Sequence, residues 1–197
     1  MEILVARNTA DINAAYARLS QSQAIGCDTE TSGLKAGQSR LLSVQFSDGD
    51  FSVLVPSSEG VGLEVLAQIL SAPDIIKIFH NAKFDLPFLA AAGHPVANIF
   101  DTMIAEKVLT KGAYQSASLA ETLYRYFAVD LDKSQRAHFI NRNWNGIWTD
   151  ELVHYALSDV THLPKLMQEQ NDWLKKLGLG EIFSAKMTQA LLNSGFD

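Results

Sequence analysis

Four carboxylates and one phenol in this chain are spaced so that they could meet. The stretch GCDTETSGL, residues 26–34, sets Asp28 and Glu30 two residues apart where a strand is expected to finish. In an extended chain residues i and i+2 point to the same side, so both carboxylates can converge on one point. Like charges that close repel, and burying either one unpaired costs several kcal/mol. Something positive should stand between them, a basic side chain or a metal ion. Asp85, in HNAKFDLPFL, follows a run that reads as a buried strand. Asp159, in YALSDV, shares a helical face with Tyr155 four residues earlier. Three separate segments could thus bring acids to one rim.

Each pattern has a plainer reading when taken singly. A D-x-E at a strand end is usually solvated, and Asn81 could simply cap a helix with Asp85 facing solvent. Tyr155 could be a core aromatic with Asp159 a surface acid. The histidines, His80, His94, His138, His154 and His162, show no HExxH or similar ligand spacing. The single Cys27 leaves no internal disulfide and no cysteine-based zinc cage.

The elements that would have to position these residues can be read along the chain. A length of 197 residues suits one domain spanning 1–197, and 47% hydrophobic content can fill its core. The net charge of −6 argues against a broad basic surface that grips duplex DNA, though not against a narrow basic groove. No apolar run approaches the ~18–20 residues needed to span a bilayer, and MEILVARNTA lacks a signal peptide's layout. A soluble cytoplasmic protein without membrane contact is expected. Residues 9–21 carry Ile12, Ala15, Tyr16 and Leu19 at helical spacing, with Thr9 as N-cap. AIGCDTE reads as a strand, and RLLSVQFSD and FSVLVP form a hairpin about DGD. LEVLAQILS is helical, and IIKIFH (75–80) is a buried strand. AKFDLPFLAAAG is a helix ending at Gly93, and NIFDTMIAEKVL a short strand passing into a helix. From Ser116 onward only helical patterns remain, with Pro164 bending the long one. This is an α/β architecture with a mixed sheet.

The order of the motifs carries more than any one of them. D-x-E, then N-x-x-x-D, then Y-x-x-x-D, each on its expected element, resembles the DEDD 3'-5' exonucleases of the tyrosine subclass. That family includes the proofreading domain of family A DNA polymerases and the ribonuclease D group. The likeness runs from CDTETSGL through HNAKFD and FDTMIAEKVL to YALSDV. It implies a ribonuclease H-like fold, with a mixed five-stranded sheet flanked by helices and a helical C-terminal half. It also implies two divalent metal ions, Mg²⁺ or Mn²⁺, held by Asp28, Glu30, Asp85 and Asp159. Hard cations of this kind favour carboxylate oxygens. In the family's scheme Asp28 bridges both ions, and Glu30 and Asp159 complete the first site. Asp85 acts mainly through metal-bound water, and Tyr155 orients the nucleophilic water with help from Glu30.

The resemblance assigns Leu34 to an apolar wedge against the terminal base, and Asn81 and Lys83 to positions near the substrate strand. Phe84 can be packing alone. LDKSQRAHFINRNW (131–144) holds Lys133, Arg136, His138, Arg142 and Trp144, but it is longer than the matching family segment, so contacts there do not transfer. The expected substrate is the 3' end of a single strand. AKMTQALLNSGFD and FDTMIAEKVL are similar to polymerase segments, which favours DNA over RNA and suggests a polymerase as partner. Ribonuclease D-like RNA trimming is the alternative. A catalytically silent binding module on the same fold and an unrelated α/β phosphatase with chance acids are the readings from other classes.

Overall fold

The computed structural model describes residues 2–57, 62–111, 113–131 and 145–192. Among them one sheet of six strands forms the centre: β1 (Glu2–Val5), β2 (Ala24–Thr31), β3 (Leu41–Ser47), β4 (Phe51–Pro56), β5 (Ile76–Phe79) and β6 (Ile99–Asp101). Their order is β1-β4-β3-β2-β5-β6. The antiparallel pairs are β2 with β3 and β3 with β4, and the other neighbours are parallel, so the sheet is mixed as expected. The count is six rather than five. The added strand, β1, has only four residues and lies at the sheet edge against β4, too short for its pattern to stand out.

The helices are α1 (Thr9–Leu19), α2 (Ala67–Ser71, after a 3₁₀ turn at Glu64–Leu66), α3 (Ala82–Ala91), α4 (Thr102–Leu109), α5 (Leu119–Phe127), α6 (Asp150–Thr161), α7 (Leu163–Lys176) and α8 (Gly180–Leu192). Asn8, not Thr9, caps α1: its side-chain oxygen accepts the Asp11 N–H at 3.0 Å. The DGD hairpin closes through Asp48, whose Oδ1 accepts from the N–H groups of Asp50 (3.0 Å) and Phe51 (2.8 Å). The long helical pattern divides at His162, and Pro164 falls in the first turn of α7, where its missing N–H is not needed.

Apolar side chains cover both faces of the sheet. Ile12, Leu19, Ile25, Phe46, Phe79 and Leu86 pack on one side. On the other, Leu54, Ile78, Phe100, Leu123, Leu157 and Leu166 join the sheet to α5, α6 and α7. Within β5 the apolar run is interrupted by the buried Lys77, whose Nζ donates to the carbonyls of Ala72 and Ile75. A second polar tie lies under α4. Glu106 is buried, meets Arg125 of α5 at 3.0 Å, and accepts from Gln170 of α7 at 3.0 Å. These bonds tie the middle of α4 to α5 and α7.

One glycine decides how close the C-terminal helices come. A Cβ on Gly26 of β2 would lie 2.5 Å from the Val160 carbonyl oxygen and 3.1 Å from Leu163 Cβ. Only hydrogen at that position lets the α6–α7 junction rest on the strand that carries Asp28.

Candidate active site

β2 and β5 run parallel, and the chain leaves both at one rim of the sheet. A crevice outside the carboxyl ends of such strands is where open α/β folds place ligands. Here it is a cleft of about 310 Å³ lined by Asp28, Glu30, Leu34, Asn81, Asp85, Tyr155 and Asp159, with Thr29, His80, Phe84 and Met103 beside them. All four acids and the tyrosine singled out in the sequence therefore share one cleft. Leu34 and Asn81 join them. Leu34 is 72% exposed at the cleft although it is a large apolar side chain. Lys83 is elsewhere, lining a separate groove formed with α4 and α8. Residues 132–144, with the basic side chains noted above, lie outside the described residues.

Two of the acids, Asp85 and Asp159, have an identifiable support. Asp85 sits in the first turn of α3 and is buried. Its Oδ1 accepts both the backbone N–H of Thr29, at 3.1 Å, and the Thr29 hydroxyl, at 2.6 Å. Thr29 alternates with Asp28 and Glu30 along the strand, so it links β2 to α3 while its neighbours line the cleft. Asp159 arrives on α6, which Gly26 admits against β2.

Asn81 was open to a capping role, and the structure gives that role to Asp101. The Asn81 backbone is left-handed, with φ 77°, and its side chain makes no cap hydrogen bond. Its N–H instead donates to Asp101 at 3.1 Å, and that of Ala82 to the same carboxylate at 2.8 Å. Asp101 also accepts from Met103 (2.9 Å) and Ile104 (3.2 Å), so one buried carboxylate caps both α3 and α4. Its position just before an apolar helical run was a readable N-cap signal. Its service to α3 was not, because that depends on the parallel pairing of β5 and β6. His80 completes the frame, with its ring nitrogens 2.8 Å from Thr102 Oγ1 and 2.9 Å from the Ala117 carbonyl.

The electrostatics are those of crowded acids. Burial raises Asp28 well above the usual carboxylate range, and Asp85, Asp159 and Glu30 each push it further. Burial also lifts Asp85, to about 7, against the pull of its Thr29 hydrogen bonds, while Asp101 adds to the rise. No lysine or arginine is among the described residues lining the cleft. The positive charge anticipated between Asp28 and Glu30 is therefore not a basic side chain from those residues. The donor set suits a hard divalent cation, since all four acids offer oxygens. Among the described residues no group of three or more His, Cys, Asp or Glu side chains is placed, as the side chains stand, to hold a metal ion. An ion of the Mg²⁺ type takes one or two carboxylates and retains several waters, so it does not require an all-protein cage.

These shifts carry a sign that can be checked without substrate. A carboxyl whose folded pKa is raised binds its proton more tightly in the folded chain. Its contribution favours folding at low pH and is lost as pH climbs from about 4, the unfolded value, through about 7 for Asp85. The metal-free protein is expected to melt lower at pH 8 than at pH 6, with the gap smaller in Asp85→Asn. Millimolar Mg²⁺ should raise the melting temperature at pH 8, because it binds only the folded form. A metal-free protein that is more stable at pH 8 than at pH 6 would contradict this picture of the cleft.

A family model for the 3'-5' exonuclease matches residues 5–174. Ribonuclease D of Nitrobacter hamburgensis is 30% identical over 181 residues, which cover 91% of this chain and 46% of that protein. DNA polymerase I of Aquifex aeolicus is also 30% identical, over 83% of this chain and 26% of the polymerase. The chain thus spans about half or less of the length of these curated relatives. Brucella melitensis NrnC with bound Mg²⁺ superposes with TM-score 0.79 at 25% identity, covering 99% of this chain and 92% of that one. The same protein bound to pGG gives TM-score 0.80 at 25% identity over 98% and 91% of the two chains. Escherichia coli RNase D shares the fold at TM-score 0.84 and 22% identity, over 98% of this chain and 51% of that one.

Proposed function

Because the chain belongs to the 3'-5' exonuclease family, we propose that it removes nucleotides one at a time from the 3' end of single-stranded RNA. The observation that carries this reading is the meeting of Asp28, Glu30, Asp85, Asp159 and Tyr155 in one cleft with an exposed Leu34 at its side. The four acids are the residues that would hold two divalent ions, Mg²⁺ or Mn²⁺. When bound, two such ions would stabilise the attacking and departing oxygens of a phosphoryl displacement.

The chain's own groups then divide the remaining work. Asp28 would be the central ligand, since Asp85, Asp159 and Glu30 all stand near enough to raise its pKa. Asp85 is a ligand held in place by two Thr29 bonds, so its carboxylate need not be reoriented for each turnover. Tyr155 positions the water through its hydroxyl. Free phenols ionise only near pH ~10, so a tyrosine hydroxyl serves better as a hydrogen-bonding group than as a general base. Leu34 presses against the terminal base and keeps it off its neighbour. At about 310 Å³ the cleft lies at the small end of ligand sites, suited to one unstacked nucleotide and not to a duplex.

The lean towards DNA drawn from the polymerase-like segments is outweighed by two relatives. Ribonuclease D of Nitrobacter aligns over more of this chain than does the Aquifex polymerase. The pGG-bound NrnC, covered almost end to end, supports a short RNA as the substrate. The test is digestion of matched RNA and DNA single strands, labelled at the 5' end, in Mg²⁺. The expected result is stepwise shortening from the 3' end, faster on RNA, blocked by a modified 3' end and unaffected by a modified 5' end. Faster loss from the DNA strand would restore the proofreading-like reading, and cleavage of a circular single strand would overturn exonuclease action altogether.

A further inference from the structure

Beside the acidic cleft lies a larger groove of about 800 Å³ between α4 and α8, and its rim is basic. Lys83, Lys107, Lys111 and Lys186 line it, over an apolar floor that includes Val108 and Leu179. All four lysines are exposed, and none forms an ion pair with another described residue. Four uncompensated ammonium groups gathered on a protein of net charge −6 mark a site for a polyanion.

The two depressions share their walls. Phe84 and Met103 face the cleft, while the adjacent Lys83 and Ile104 face the groove. The ridge between them is therefore the first turns of α3 and α4. Lys107 leans onto that ridge, with its Nζ 3.1 Å from the sulfur of Met103. A cation is thus carried to the border of the cleft from the groove side. An anionic chain with its end in the cleft would meet this charge as it passes over the ridge.

We propose that the groove binds the phosphate backbone of the substrate strand upstream of its 3' end, an inference that rests on the exonuclease reading of the cleft. The floor supplies no aromatic platform among its described residues, so base stacking contributes little and the contact tolerates any sequence. Affinity should then grow with strand length until the groove is filled, and fall steeply with salt.

The experiment compares a dinucleotide with a single strand of about twelve nucleotides, using the parent chain, Lys111→Glu/Lys186→Glu and the charge-keeping Lys111→Arg/Lys186→Arg. All these positions are exposed, so folding should not be disturbed. The expected result is a KM for the longer strand raised about tenfold in the glutamate variant, with a shallower salt dependence. Its dinucleotide turnover should be unchanged, and the arginine variant should behave as the parent. An equal effect on both lengths, or none on the longer strand, would overturn the proposal. Fluorescence anisotropy of the labelled longer strand in EDTA, where nothing is hydrolysed, separates the two layers. Charge-dependent binding there without hydrolysis in Mg²⁺ would refute the exonuclease reading while leaving the groove as a nucleic-acid site, and absence of binding would refute the groove.

Discussion

Asp28→Asn is expected to lower hydrolysis at least ~10³-fold while raising the melting temperature of the metal-free protein. The two effects share one cause. Asp28 is half-buried beside Asp85, Asp159 and Glu30, each of which pushes its pKa upward in addition to desolvation. Without a cation its charge disfavours the fold, and an isosteric amide removes that repulsion. With divalent metal the same charge is the one that draws the ion into place, and the amide cannot replace it. The measurement is paired: initial rates in Mg²⁺, and thermal melts at pH 8 with EDTA and with Mg²⁺. The stabilisation by Mg²⁺ seen in the parent should shrink in the variant. A variant that retains activity within a few-fold of the parent would remove the metal-dependent reading of the cleft. One that melts well below the parent in EDTA would show that Asp28 is a structural group satisfied by its surroundings.

That the acids of the cleft belong together in pairs was legible in the sequence because their spacing is local. D-x-E and Y-x-x-x-D each place two side chains on one side of a strand or helix by backbone period alone. The convergence of three such pieces was legible only through the order of the motifs, since no local rule states which strand pairs with which. The supports were not legible. Thr29 lies between two acids that claim attention, and its bonds to Asp85 span 56 residues. Asp101 announces a cap for its own helix, but its hold on Asn81 and Ala82 depends on β6 lying beside β5. That Lys83 lines the groove and not the cleft was not legible for a related reason. It neighbours Phe84 in sequence, yet a helix turns ~100° per residue, enough to carry one side chain into the cleft and the next into the groove. β1 went unseen because a four-residue edge strand with only partial burial has no alternation to display.

Gly26→Ala is expected to reduce both stability and turnover, although the residue touches no substrate. The added methyl would stand 2.5 Å from the Val160 carbonyl oxygen, a backbone atom that no side-chain rotation can move aside. Either β2 or the α6–α7 junction has to shift, and overpacking of this kind costs about 1–3 kcal/mol. The shift falls where it matters most. Gly26 stands two residues before Asp28, and Val160 follows Asp159 directly, so the contact sets the distance between two acids of the cleft. A misplacement near 1 Å can cost ~10²-fold in rate. Turnover should therefore drop about a hundredfold at a temperature where circular dichroism shows the variant fully folded, with a smaller change in KM for a dinucleotide. Gly180→Ala is the control, since a Cβ there meets nothing within 4 Å, and it should match the parent in melting and rate. If folded Gly26→Ala turns over as fast as the parent, the approach of α6 to β2 does not govern the geometry of the acids, and another contact must hold Asp159 in place.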